Sequence, residues 1–174
     1  MKTAVVVGAL GVIGRYIVER LSALPDWSVI GLSRRKGEDR ARVRYVSVDL
    51  LQNFEPDFDE ATHVFYAAFQ AGAGKAAGYA ENIAPNRDML INSVSAIDRT
   101  SPGLERVVLV TGTKYYGTHL GPFRTPARET DPRHRGRIIT STRSTGSPRF
   151  SGASAGPGAN CGRRRCADSR PGPR

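Results

Sequence analysis

The most constraining feature of the chain is its first glycine turn. The segment Ala4-Val5-Val6-Val7 runs straight into Gly8-Ala9-Leu10-Gly11-Val12-Ile13-Gly14. An uninterrupted apolar run suits a strand buried on both faces, as in parallel sheets covered by helices. The glycines are spaced G-x-x-G-x-x-G at the junction between this strand (Lys2–Gly8) and an expected helix over Gly11–Leu24. Gly8 permits a tight turn, Gly11 lets backbone approach a ligand, and Gly14 lets the helix pack closely. A helix N-terminus there presents free N–H groups and partial positive charge, which suits a pyrophosphate. The expected dinucleotide cradle is therefore Gly8, Gly11, Val12, Ile13 and Gly14.

The same rhythm continues downstream. Ser28–Leu32, Arg44–Val48, Thr62–Ala68 and Leu104–Thr111 read as further strands, and Ala80–Ile97 as a helix. Strands alternating with helices imply right-handed βαβ units and a doubly wound parallel α/β sheet of Rossmann type. Gln70–Ala77 is small and flexible, and follows the fourth strand, where such sheets carry either ligand loops or plain surface loops.

The second strand indicates which dinucleotide. An acid about 20 residues past the glycines would hold the ribose hydroxyls of NAD. Here the position reads Ser33-Arg34-Arg35-Lys36, with no acid before Glu38. A carboxylate would repel a 2′-phosphate, whereas an arginine fork can grip it, so the expected cofactor is NADP(H). A solvated basic loop is the bland alternative. After the third strand come Asp49 and Leu50. They are placed either to meet an adenine ring or, for Asp49, to cap a helix.

Charge divides the chain. It has 174 residues and a formal net charge of +10. Residues 1–133 hold 17 basic and 15 acidic side chains, while 134–174 hold nine arginines and one acid, Asp168. Residues 1–133 are thus expected to form one nearly neutral cofactor-binding domain. Residues 134–174 have only Ile138, Ile139 and Phe150 as large apolar side chains, too few to offset ordering entropy, and are expected to be disordered. Nothing approaches the roughly 20 apolar residues of a membrane span, no signal peptide is visible, and the expected location is cytoplasmic. The two cysteines, Cys161 and Cys166, are too few for a disulfide framework or a structural zinc site, so no metal is expected.

After the last strong strand comes Thr111-Gly112-Thr113-Lys114-Tyr115-Tyr116-Gly117, then His119-Leu120-Gly121-Pro122-Phe123. Catalytic residues commonly sit at such carboxyl ends. A lysine there can bond a nicotinamide ribose and lower the pKa of a nearby phenol; it can equally be a surface lysine.

With these blocks in view, residues 1–133 resemble the atypical extended short-chain dehydrogenases/reductases of the progesterone five-beta-reductase and iridoid synthase group. The resemblance rests on VGALGVIG (7–14), GLSRR (31–35), VDL (48–50), THVFYAAF (62–69), ENIAPNRDMLINSV (81–94) and VTGTKYYGTHLGPFRTPARETDPR (110–133). It implies NADPH-dependent reduction of conjugated carbonyl compounds, with a small-molecule substrate and neither a specific nucleic acid nor a membrane as partner. It implies pyrophosphate binding by Gly8, Gly11 and Gly14, and 2′-phosphate binding by Ser33, Arg34 and Arg35. It also implies adenine contacts at Asp49 and Leu50, a catalytic lysine at Lys114, and a place for Phe123 near the substrate pocket. A sugar-nucleotide epimerase or dehydratase relative and a non-catalytic NADP(H)-binding module are the alternatives. The family's catalytic tyrosine follows soon after this block, in a segment like Asn-Phe-Tyr-Tyr. This chain has no tyrosine after Tyr116. The expectation is therefore a sheet truncated after about five strands, with a chain inactive as it stands.

Three origins are open for residues 134–174: out-of-frame translation, a basic tail that binds RNA non-specifically, or an inert tail. Back-translating Ile139-Thr140-Ser141-Thr142 and reading two bases later permits Asn-Phe-Tyr, where the resemblance requires it. Sequencing the coding DNA from the Arg133 codon onward is expected to reveal one inserted or deleted base. An intact frame refutes this origin.

Overall fold

The computed structural model describes residues 1–71, 83–118, 120–132 and 150–152. The strands are β1 (Lys2–Val7), β2 (Trp27–Ser33), β3 (Val43–Ser47), β4 (His63–Tyr66), β5 (Arg106–Leu109) and β6 (Phe150–Gly152). Among the described residues, two helices, α1 (Val12–Ser22) and α2 (Ile83–Thr100), and a 3₁₀ turn over Thr113–Tyr116 complete the elements. The sheet is parallel throughout, in the order β3-β2-β1-β4-β5-β6. This is the Rossmann order, in which the order of strand addition reverses between β1 and β4.

β1 shows why an apolar run was needed. Ala4, Val5, Val6 and Val7 are all 0% exposed. Successive side chains point to opposite faces. Val5 and Val7 join Ile30, Leu32, Val64, Tyr66, Val107 and Leu109 in a core with Met89, Leu90, Val94 and Ile97 of α2. Ala4 and Val6 join Val29, Val43 and Tyr45 in a second core with Val18 and Leu21 of α1. Each fully buried valine or leucine stabilises the fold by about 1.5–3 kcal/mol.

Element ends shift by a few residues from the sequence expectations, for local reasons. β4 and β5 are shorter than the expected Thr62–Ala68 and Leu104–Thr111, yet ladder-like bonds continue past them. Glu105 N donates to Thr62 O at 2.8 Å, Val110 N to Tyr66 O at 3.0 Å, and Ala67 N to Val7 O at 2.9 Å. α1 stops at Ser22, two residues before Leu24. α2 runs three residues past Ile97 and ends before Ser101-Pro102, because a residue preceding proline disfavours the helical region. The expected start of α2 at Ala80 lies outside the described residues, as do residues 72–77 of the Gln70–Ala77 loop.

The sheet does not stop at β5. Val107, Val108 and Leu109 pair with Phe150, Ser151 and Gly152 of β6. These three residues fall inside the segment expected to be unstructured. An open edge of N–H and C=O groups can pair with any extended backbone, without demands on side chains, so composition gives no warning of it. The remainder of 134–174, with both cysteines, lies outside the described residues. Among the described residues, no helix is long and apolar enough to cross a membrane.

At the amino ends of the strands, His63 stands edge-on to Trp27 with ring centroids 5.0 Å apart, and its Nδ1 lies 2.9 Å from Thr62 Oγ1. Burial lowers its pKa below 6.5; Lys2 and Arg106 act in the same direction, and Glu105 opposes them. The unfolded chain therefore takes up a proton at a higher pH than the folded one. Stability is expected to be full above pH 6.5 and to fall on acidification through that value towards the lowered one. Denaturant unfolding across this range should show a smaller acid loss in His63→Gln than in the native chain.

Candidate cofactor site

A cavity of about 760 Å³ opens above the carboxyl ends of β1, β2, β3 and β4. The volume lies within the roughly 300–1,000 Å³ usual for small-molecule sites. Its walls include Gly8, Gly11, Val12 and Ile13 from the first turn, Ser33, Arg34 and Arg35 after β2, and Asp49 and Leu50 after β3. Residues expected from three separate sequence positions thus meet around one space. Among the described residues, Ala67–Gln70 after β4 and Met89 of α2 also line it.

Of the expected cofactor-binding residues, Gly14 is the one that does not line the cavity. It is buried behind the turn. A Cβ added there would lie 2.0 Å from Gly8 O and 3.0 Å from Ala9 Cα. Its smallness therefore serves the approach of α1 to the turn itself. Gly8 has φ +85°, and a Cβ there would lie 2.7 Å from Ala68 N. Gly11 caps α1 in an extended conformation with no side-chain capping bond, and the first turn holds no acid. Val12 is 73% exposed. The first N–H groups of α1 thus meet neither a side-chain cap nor an opposing carboxylate, the arrangement that suits an anion.

The arginine loop is built from backbone. Val48 N donates to Ser33 O at 2.8 Å, and Ser47 Oγ donates to Arg34 O at 2.9 Å. Ser33 Oγ donates back to Arg35 O. These bonds tie the loop to the end of β3 while leaving both arginine side chains exposed. Among the described residues, neither guanidinium has an ion pair or a hydrogen bond. Asp39, the second acid of this loop, is turned elsewhere: its Oδ1 accepts from Tyr45 N at 2.6 Å. The Tyr45 ring in turn occupies the space a Cβ would need at Gly31 and Gly37.

Asp49 does not cap a helix. Its Oδ1 accepts from Leu51 N at 3.0 Å, and Gln52 N donates to Asp49 O at 3.0 Å. This is an Asx-type turn, which a short polar side chain forms with the backbone two residues on. Leu50 beside it is buried.

Lys114 lies in the 3₁₀ turn beyond β5. The turn is closed by Tyr115 N donating to Gly112 O at 2.9 Å and ends at Gly117, whose φ is +83°. Tyr115 and Tyr116 stack edge to face at 5.1 Å. Phe123 is exposed and stands outside the cavity lining. Among the described residues, no group of His, Cys, Asp or Glu is arranged to hold a metal ion.

Sequence reasoning passed over two asparagines. Asn86 and Asn92 of α2 bond the backbones of Gln70 and Leu50, on two different walls. The available signal was Asn86 on the buried stripe that continues through Met89, Leu90, Ser93, Val94 and Ile97. An amide on such a face needs partners.

Residues 49–139 match the family described as PRISE-like Rossmann-fold domain. This reaches six residues beyond the limit of 133 set by the sequence blocks. The chain is 33% identical to a short chain dehydrogenase, gsfE, of Penicillium aethiopicum, over 78% of this chain and 38% of the relative. It is 32% identical to (S)-8-oxocitronellyl enol synthase ISY1 of Nepeta cataria and to 3-oxo-Delta(4,5)-steroid 5-beta-reductase of Arabidopsis thaliana. Each of those two matches covers 69% of this chain and 32% of the relative. The chain thus spans about a third of the length of these curated relatives. Among solved structures, Gre2 of Candida albicans in complex with NADPH aligns with a TM-score of 0.54 and 22% identity, over 67% of this chain and 38% of that one. WbmH of Bordetella bronchiseptica in complex with NAD+ aligns with a TM-score of 0.60 and 20% identity, over 83% and 50%.

The glycines make separable predictions. Gly14→Ala is expected to cost roughly 2–3 kcal/mol, because its methyl meets fixed backbone rather than a movable side chain. Gly11→Ala, whose Cβ meets only Gly8 O at 3.1 Å, should cost about 1 kcal/mol or less. Chemical denaturation of the two variants checks the order.

Proposed function

Because the chain belongs to the PRISE-like Rossmann-fold domain family, we propose that its cavity binds NADP(H) as the cofactor part of a reductase of conjugated carbonyl compounds. One observation carries the reading: a glycine turn with no room for a Cβ and an uncommitted arginine pair face the same cavity. The first suits a pyrophosphate and the second suits an added phosphate at the far end of a dinucleotide. The names of the enol synthase and the steroid 5-beta-reductase support this substrate class.

The residues divide the work by chemistry. Gly8, Gly11 and the N–H groups of Val12, Ile13 and Gly14 would hold the pyrophosphate. Ser33, Arg34 and Arg35 would hold the 2′-phosphate, with the guanidiniums acting as charge-assisted donors. Leu50 would pack against the adenine. Asp49 keeps one carboxylate oxygen in its turn, which leaves the other to accept from the adenine amino group. Lys114 would bond the nicotinamide ribose and raise the acidity of a neighbouring phenol. Bound NADPH supplies a hydride; the chain's own groups position the ligand, neutralise its phosphates and exclude water.

The proton-donating tyrosine expected from the resemblance has no counterpart after Tyr116. We infer that the chain as it stands binds NADPH and turns over little or none of it. Fluorescence titration is expected to show tighter binding of NADPH than of NADH. Arg34→Ala should weaken NADPH about 10–100-fold, the loss of a charge-assisted bond, and leave NADH unchanged. Equal affinities for the two dinucleotides, or NADPH binding indifferent to the change, would refute the 2′-phosphate assignment. Brisk NADPH oxidation with a small cyclic enone, abolished in Lys114→Ala, would refute the inactivity.

A further inference from the structure

The β-ladder ends before the cavity wall does. Ala67 N makes the last bond to β1, through Val7 O at 2.9 Å. Beyond it, Ala67–Gln70 leaves the sheet and still forms one side of the cavity. A buried side chain of α2 grips its backbone. Asn86 is 0% exposed, its Nδ2 donates to Gln70 O at 2.7 Å, and its Oδ1 accepts from Gln70 N at 2.9 Å. A primary amide has the donor–acceptor pair of a peptide group, so Asn86 takes the place of a neighbouring strand for one residue. Three residues on, Met89 of the same helix touches the cavity. Six residues on, Asn92 Nδ2 donates to Leu50 O at 3.1 Å, on the opposite wall.

The grip matters because the opposite side of the wall admits no slack. The space a Cβ would need at Gly8 is filled by Ala68 N, Ala68 Cα and Ala67 C, at 2.7, 2.8 and 3.0 Å. The wall therefore lies against the glycine turn on one side and is tied to α2 on the other. We propose that Asn86 is a positioning residue: it fixes Ala67–Gln70 against the Gly8 turn and so sets the width of the dinucleotide cavity. The part that concerns the dinucleotide rests on the function proposed above; the grip on the wall does not.

The test compares Asn86→Leu, Asn86→Asp and Val94→Ala in the full chain. Val94→Ala is a control that loosens the same helix while leaving Asn86 and its two bonds to Gln70 in place. Hydrogen exchange of the Gln70 amide is read with NADPH affinity and thermal unfolding. Asn86→Leu is expected to strip protection from the Gln70 amide and to weaken NADPH about tenfold, the loss of a buried bidentate contact. Asn86→Asp keeps the acceptor for Gln70 N but sets a carboxylate oxygen against Gln70 O. It should retain the protection and still weaken NADPH. Val94→Ala should lower the unfolding temperature and leave both other readouts unchanged. A Gln70 amide equally protected in Asn86→Leu overturns the proposal. So does an affinity loss that follows unfolding temperature alike in all three variants. If the native chain binds no NADPH while Asn86→Leu still frees the Gln70 amide, the cofactor reading fails and the grip stands.

Discussion

The contact on which the rest of the structure depends is that of the Gly8 peptide with its two neighbours. On one side its carbonyl lies where a Cβ of Gly14 would be; on the other, its Cα faces the backbone of Ala68. Both are backbone approaches that a single methyl group would forbid. They bring α1 down onto the turn and draw the segment after β4 against the end of β1. Dispersion at such distances is weak per atom, so the arrangement needs support from elsewhere. That support is the burial of β1 on both faces, which fixes the end of the strand from which the turn departs.

Two-sided burial also decides where chemistry can occur. With α1 covering one face and α2 the other, the strand ends are where connections can form a cavity. The carboxyl ends at the reversal between β1 and β4 splay their connections apart, and the cavity lies there. The division of labour between helices is uneven. α1 offers its N-terminus and close approach. α2 contributes few cavity atoms, yet its Asn86 and Asn92 hold the backbones of Gln70 and Leu50. The arginine loop needs neither helix, since it is tied to β3 through Ser47 and Val48.

Much of this was legible from the residues. The unbroken valines announced a doubly covered strand, and the three glycines announced a tight strand–helix junction, because both are local consequences of sterics. Ser33, Arg34 and Arg35 stood out by the absence of an early acid, and they line the cavity. Other features were not legible. Gly14 reads as a helix–sheet packing residue, yet what it approaches is the Gly8 carbonyl, six residues back. Asp49 was open between adenine contact and helix capping, and the turn it forms depends on where β3 ends. Asn86 was one letter in a helix, because its partner is sixteen residues away across an unrelated loop. β6 had no pattern at all, since backbone pairing asks little of side chains.

The sequence by itself determined the strand–turn–helix start, the parallel alternation and the basic loop, because these follow from periodicity, steric permission and charge over short windows. The tertiary structure alone decided which of those windows share a cavity. It also decided that Asp39 turns away from the arginines, that one asparagine anchors a wall, and that the sheet takes a sixth strand. Each of these joins atoms distant along the chain, and their free energies depend on distances that no short window encodes.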